Sequence, residues 1–336
     1  MEFEASDPDW AYETNRRRFY QTYSLLEKVD FLSHYVTGPT KRYKGLVKFL
    51  PHKVTLNKIT PKYTFGFVGD IMKMCSRELI LGPALRHFFQ GIDYLVGNFE
   101  GIITHRKHEV IAEQVHGQRI LATLKTILPP EQIVLSYANN HSNDFGWNAY
   151  KKSHHILQKH GFQVMGRRDV PNILLEDKIN IATASSWSNQ PCEFIASFKQ
   201  LNEAFYPSAA FNFLYPHWGY ELYLYPHPSQ IKVAQKLLEQ WDAIIGHHSH
   251  TPQPVTAVDT SKGKKLVAYS LGNFSYGVAW KIYHKYGIVL KLEIGPNKDG
   301  VWQVGNLSWY FSLLYPPKDG KVRCELNRKC QWFDEI

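Results

Sequence analysis

Three observations predict an α/β fold for this chain. From Tyr63 onward, apolar runs of strand length alternate with stretches of helical length, the pattern of parallel βαβ units. Most of these runs close on a cluster of Asp, Asn, Glu or His. After Pro254 the helical stretches stop, and long β-like runs joined by the turn sequence GPNKDG predict a largely antiparallel sheet in the second half.

Residues 1 to about 60 carry aromatics and bases without a clear period. A helix is expected over 15–34, and Pro39, Pro51 and Pro61 break the next stretch into short pieces. This segment is read as an arm packed on a main domain of residues 61–336. TFGFVGD (64–70) is a short apolar strand ending in Gly-Asp. A helix is expected over 76–90, then a strand in IDYLVGNFEG (92–101). A helix near 118–128 stops at Pro129 and Pro130, and the strand QIVLSY (132–137) runs into ANNHSNDFG (138–146). A helix over 147–160 closes on Gly161, whose backbone tolerates the left-handed conformation of a C-terminal cap, before the strand FQVMG. Strands follow at 178–184 and 210–219, a helix at 229–241, and the strand DAII (242–245), which enters GHHSHTPQP. Runs 265–276, 286–295 and 301–315 are β-like.

At 336 residues, 44% hydrophobic and 21% charged, the chain suits one large globular domain or two ordinary ones. No run approaches the roughly 18 apolar residues of a membrane span. MEFEASDPDW lacks the apolar core of a secretory signal, so a soluble, cytoplasmic protein is expected. Cys75, Cys192, Cys324 and Cys330 are too scattered for a disulfide framework and read as reduced thiols, with Cys324–Cys330 the one conceivable bridge. The net charge of +9 points to an anionic partner or substrate. The bases are dispersed, as at Arg16 to Arg18 and Lys262, Lys264 and Lys265, without interleaved aromatics. Nucleic acid is therefore not expected as a partner.

The strand tips carry the chemistry. In order they offer Asp70, Asn98 with Glu100, Asn140 with His141, His217, and His247, His248 and His250. Ligands of open α/β sheets bind beyond the carboxyl ends of the strands, so these tips should converge. Carboxylates, amide oxygens and imidazoles together suit divalent Mn, Fe or Zn. His248 and His250, two residues apart after Gly246, can aim both rings one way. Plainer roles stay open: a turn or helix cap for Asp70, a turn for Asn98, a solvated carboxylate for Glu100. Glu221 either orients His217, touches substrate or is a surface residue; Asn273 supports the site or holds a turn. The other histidines, among them His87, His105, His108, His116, His154, His155, His160 and His227, are read as surface residues.

The series FVGD, GNFE, ANNH, PHWG, GHHSH resembles the five ordered motifs of the calcineurin-like metallophosphoesterases. ANNH (138–141), HWGYE (217–221), GHHSH (246–250) and YSLGNF (269–274) are most similar to the branch containing the CapA/PgsA poly-gamma-glutamate capsule synthesis proteins. The resemblance covers about Thr64 to Phe274. It implies a four-layer α/β/β/α sandwich with two mixed sheets, and two divalent ions of the Mn, Fe or Zn kind. By the same resemblance Asp70 is a first-site ligand, Asn140 a second-site ligand, and His217, His248 and His250 further ligands, with His247 an extra. His141 matches the histidine that assists the leaving group, and phosphoester hydrolysis by in-line attack of a metal-bound hydroxide is the implied reaction.

Two positions depart from the general pattern. Met72 replaces a histidine ligand, and Asn98 replaces a bridging aspartate, for which Glu100, two residues on, could supply the charge. The expected function is a metal-dependent hydrolase acting on a phosphoester or an anionic capsule-polymer intermediate. The alternative is a non-catalytic accessory or binding subunit of a poly-gamma-glutamate synthesis or export complex. A zinc amidohydrolase barrel fits less well, because its HxH follows an early strand.

Overall fold

The computed structural model describes residues 7–12, 25–104, 113–190, 192–278 and 282–333. The first part of the helix expected over 15–34, Arg16 to Arg18, His105 and His108 lie outside the described residues.

The chain runs through α1 (Leu25–Thr37), β1 (Lys53–Thr55), β2 (Tyr63–Ile71), β3 (Glu78–Leu81), α2 (Pro83–Phe88) and β4 (Tyr94–Phe99). Two short strands, β5 (Ile102–Ile103) and β6 (Val115–His116), precede α3 (Arg119–Leu124), β7 (Ile133–Ser136), α4 (Gly146–Lys159) and β8 (Gln163–Met165). Then come β9 (Asn172–Leu175), β10 (Ile179–Ala182), α5 (Leu201–Ala204), β11 (Phe211–Leu214), α6 (Pro228–Leu237) and β12 (Ala243–Ile245). The chain finishes with β13 (Val255–Thr260), β14 (Gly263–Ala268), β15 (Asn273–Ser275), β16 (Tyr286–Pro296), β17 (Trp302–Leu314) and β18 (Lys321–Asn327).

Two mixed sheets result. The larger is ordered β3-β18-β17-β16-β2-β4-β7-β8, with β1 on β17 and β15 on β2; the smaller is β13-β14-β12-β11-β10-β9. Strand alternation explains how they stack, because successive side chains face opposite ways. Phe65, Phe67, Val96 and Val134 of the larger sheet meet Ile179, Ile181, Phe211, Phe213 and Ile245 of the smaller in one core. The opposite faces supply two more. Val68, Leu95, Ile133 and Leu135 pack on Leu85, Leu121 and Leu157 from α2, α3 and α4. Ala182, Leu214, Ile244 and Val267 pack on Leu201 and Ala234 from α5 and α6. Three cores separate four layers, α/β/β/α.

Several expectations are corrected. The stretch 76–90 is not one helix: Glu78–Leu81 pairs in parallel with β18, and extended Gly82 followed by Pro83 at the helix start confines the helix to six residues. The late antiparallel strands make no sheet of their own, because β16 joins β2 and extends the larger sheet. His116 and His154 are buried, not on the surface. His116 lies over Phe99 and its Nε2 bonds the Glu100 carbonyl at 2.7 Å. All four cysteines are unpaired. No described helix is long and apolar enough to cross a membrane.

Candidate metal centre

The parallel strands of both sheets point their carboxyl ends at one place. β2 pairs with β16 along its first residues and with β15 at its tip, after a register shift. Asp70 therefore stands between Asn273 on one side and Asn98 on the other. The approach is close: a Cβ on Gly69 would overlap the Gly272 carbonyl, which accepts a 2.8 Å bond from the Asp70 N–H. In the smaller sheet, parallel bridges set His217 beside both Ser185 and His247, just past β10, β11 and β12. Gly246 is required there, since Trp218 Nε1 and the Tyr269 carbonyl fill the space of a side chain.

Asp70 joins the two halves. Its Oδ1 lies 3.1 Å from His247 Nδ1, and its Oδ2 lies 3.4 Å from His250 Nδ1 and accepts from the His248 N–H at 3.1 Å. His217 Nδ1 is 2.9 Å from His247 Nδ1, and His217 Nε2 is 2.9 Å from Asn140 Oδ1. His250 Nε2 is 3.6 Å from Glu100 Oε1. Ligand atoms of Asp70, His217 and His247 all fall within 4.8 Å of one another, as do those of Asp70, Glu100 and His250. Asp70 belongs to both groups, and every member is buried.

Glu100 Oε1, His247 Nε2 and both ring nitrogens of His248 are buried without a hydrogen-bond partner. A buried polar atom left unsatisfied costs about 1–3 kcal/mol, so this concentration of lone pairs fits a coordinated cation. The backbone is also strained here: His248 and His250 adopt φ of +100° and +55°, a region ordinary side chains avoid and functional sites collect.

The charges point the same way. Burial by itself would raise the Asp70 carboxyl, but His247 and His250 overcome it and hold Asp70 well below the usual range. Burial, then the charge of Asp70, pushes Glu100 well above its own. Burial, reinforced by neighbouring imidazoles, keeps His217 and His248 neutral. Burial opposes charge on His250 too, yet Glu100, Asp70 and Glu221 push it up to about 10.

Asp70, Glu100, His217 and His250 thus meet as ligand candidates. His247, expected as an extra, joins Asp70 and His217, whereas His248 belongs to neither group, its ring centroid 4.3 Å from that of His217. Asn98 donates from Nδ2 to Asp70 Oδ1 at 2.8 Å and to Glu100 Oε2 at 3.2 Å, while its Oδ1 accepts from Asn139 at 3.1 Å. Met72 is buried. Asn273 Oδ1 holds His250 Nδ1 at 3.0 Å. Glu221 accepts from the Tyr35 hydroxyl at 2.6 Å.

His141 Nδ1 sits 2.7 Å from Asp144 Oδ2 and 3.1 Å from Asn189 Nδ2, which leaves Nε2 3.9 Å from Glu100 Oε1. Asp144, Asn139, Asn189 and Tyr35 escaped the sequence reading. Asp144 was within reach of it, because three residues after His141 is the separation a tight turn brings together. Tyr35 and Asn189 stand too far from the motifs in sequence to be signalled.

An α/β sandwich whose two sheets bring buried carboxylates and imidazoles to one edge defines the class: a four-layer protein with a candidate metal centre. Sequence comparison gives the family. The profile described as "Bacterial capsule synthesis protein PGA_cap" matches residues 64–182 and 193–277, and the chain belongs to that family. It is 25% identical over 288 residues to the "PGA biosynthesis protein CapA" of Bacillus subtilis (strain 168), covering 77% of this chain and 74% of that one. It is 26% identical over 254 residues to the "Capsule biosynthesis protein CapA" of Bacillus anthracis, covering 65% and 61%. Among solved structures, a hypothetical protein from Thermus thermophilus superposes with a TM-score of 0.45 at 13% identity, over 74% of this chain and 98% of that one.

Proposed function

We propose that the chain is a divalent-metal-dependent hydrolase, a phosphoesterase acting on a phosphoester or on an intermediate of an anionic capsule polymer. The observation that carries this reading is the sharing of Asp70 between two three-ligand groups, the arrangement a two-ion site needs. Asp70, His217 and His247 would hold one ion, and Asp70, Glu100 and His250 the other. When bound, ions of the Mn, Fe or Zn kind polarise a phosphoryl oxygen and acidify water. The chain's own residues do the rest. Asn98 ties the Asp70 and Glu100 carboxylates into one orientation. Asp144 fixes Nδ1 of His141, so that Nε2, which also lies 3.4 Å from Asn189 Nδ2, is the nitrogen that would hand a proton to a leaving oxygen. The capsule context rests on the family and on the names of the Bacillus relatives.

The test is metal analysis of purified protein beside hydrolysis of an aryl phosphate, in wild type and His250→Ala. Joint loss of metal and activity in the variant supports the reading, and full activity in it defeats the reading.

One observation favours a second reading, a non-catalytic accessory subunit of capsule-polymer synthesis or export. The Asn98 amide already holds one oxygen of each carboxylate, Asp70 Oδ1 and Glu100 Oε2, by hydrogen bonds, and Met72 offers no hard ligand. On that reading purified protein carries no stoichiometric metal, and it binds a polyanion without hydrolysing the ester.

A further inference from the structure

Helix α1 leaves an aliphatic face uncovered. Val29, Leu32 and Val36, at i, i+3 and i+7, form one face and are 61%, 63% and 85% exposed. The face against the protein carries Asp30, His34 and Tyr35, with partly buried Phe31 against the Tyr35 ring. Asp30 accepts from the Tyr223 hydroxyl, His34 is buried against the Tyr223 ring, and Tyr35 donates to Glu221. A surface helix ordinarily turns its aliphatic side chains inward, and a contiguous exposed apolar patch marks an interaction surface.

The neighbouring turn adds another exposed aliphatic side chain. Arg42 reaches Asp30 at 3.4 Å, which lays residues 41–48 beside α1. Tyr43 and Gly45 take φ of +70° and +93° there, and the turn lifts Leu46 to 55% exposure. Lys41, Arg42, Lys44 and Lys48 around it are exposed, as is Lys28 on the helix. The carboxylates of the same segments, Glu27 and Asp30, are only partly exposed, and Asp30 is occupied by Tyr223 and Arg42.

We propose that α1 and the 41–48 turn form a docking surface for an anionic lipid membrane. Four aliphatic side chains can enter the acyl boundary while the surrounding bases meet anionic headgroups, the combination that holds a protein in a membrane interface. The bases alone would suit a soluble polyanion, but the exposed Val29, Leu32, Val36 and Leu46 would gain nothing from one. Because the inward face of the same helix touches Glu221 through Tyr35, docking holds the candidate metal centre close to the bilayer surface.

The experiment is co-sedimentation of the full chain with vesicles of phosphatidylcholine alone and of phosphatidylcholine with phosphatidylglycerol. Wild type should bind only the anionic vesicles, less at high salt. Leu32→Glu/Val36→Glu and Leu46→Asp should each bind at least about tenfold more weakly, since each buries a charge in place of an aliphatic group. Val301→Glu, at an exposed apolar position elsewhere, should bind as wild type. Equal binding by all variants overturns the proposal, as does failure of wild type to bind either vesicle. It is also overturned if wild type self-associates in solution and Leu32→Glu/Val36→Glu abolishes that, because the patch is then a contact between copies.

Discussion

Asp70 and Asn273 stand opposite each other on the parallel strands β2 and β15, and both reach the same imidazole nitrogen. His250 Nδ1 lies 3.0 Å from Asn273 Oδ1 and 3.4 Å from Asp70 Oδ2. Two acceptors on one nitrogen fix the ring plane, so that Nε2 faces Glu100. An oxygen acceptor on the far nitrogen is how proteins orient a metal-binding histidine.

Replacing Asn273 by Ala therefore leaves the ligand candidates in place but removes one support of His250. Metal affinity should fall by about 10–100-fold, measured by competition with a chelator. An unchanged affinity would show that Asn273 only holds its strand.

The sharing of Asp70 predicts an asymmetry in stoichiometry. His217→Ala removes a ligand from one group and should leave about half of the bound metal, whereas Asp70→Asn weakens both groups and should leave little. Elemental analysis of the two purified variants decides it. Equal losses would mean that the groups do not act as two sites.

Gly246→Ala should be far more damaging than its size suggests. The added methyl collides with Trp218 Nε1 and the Tyr269 carbonyl, both fixed in the interior. A core overpacked in this way loses about 1–3 kcal/mol, and the following His247 to His250 segment must shift. Urea unfolding and metal binding should both weaken, and a variant normal in both would refute the tight-approach account.

His154 predicts acid sensitivity away from the candidate site. Burial, with help from Arg167, lowers its pKa to about 4 from an ordinary 6.5, and its Nε2 has no hydrogen-bond partner. The sign comes from proton uptake. Above about 6.5 neither folded nor unfolded chain is protonated there, and this histidine has no effect. As pH falls from about 6.5 to about 4 only the unfolded chain takes the proton, and stability declines by up to about 3 kcal/mol. Urea unfolding near neutrality and near pH 5 should show the decline, reduced in His154→Gln. An equal decline in that variant would assign it to other groups.

The parts of the fold legible in the sequence are those where strand ends obey a simple rule. β2, β4, β7, β11 and β12 are buried on both faces and so read as apolar runs. Their polar tips stand out against those runs, and hence Asp70, Asn98, Asn140, His217 and the GHHSH histidines could be found. Strands that mix polar with apolar residues are less legible. β13 and β18 are partly exposed and lack such runs, and β3 is too short to separate from a helix before Gly82 and Pro83. Choosing between His247 and His248 needs the path of a left-handed backbone, which residue spacing does not encode. The burial of His116 beneath Phe99 depends on contacts that no local pattern announces.

The aromatic layer between the sheets has a consequence for ion choice. Asp70 and Glu100 ride on the larger sheet, His217 and His247 on the smaller. Between them Phe213 packs on both Phe65 and Phe67, and the Tyr215 hydroxyl donates to the Val68 carbonyl across the gap. That layer works as a shim whose thickness sets how far apart the two halves of the candidate site stand. If a cation binds there, its fit would be tuned by hydrocarbon: shaving Phe213 to Leu would shift the preferred ionic radius without altering a single candidate ligand.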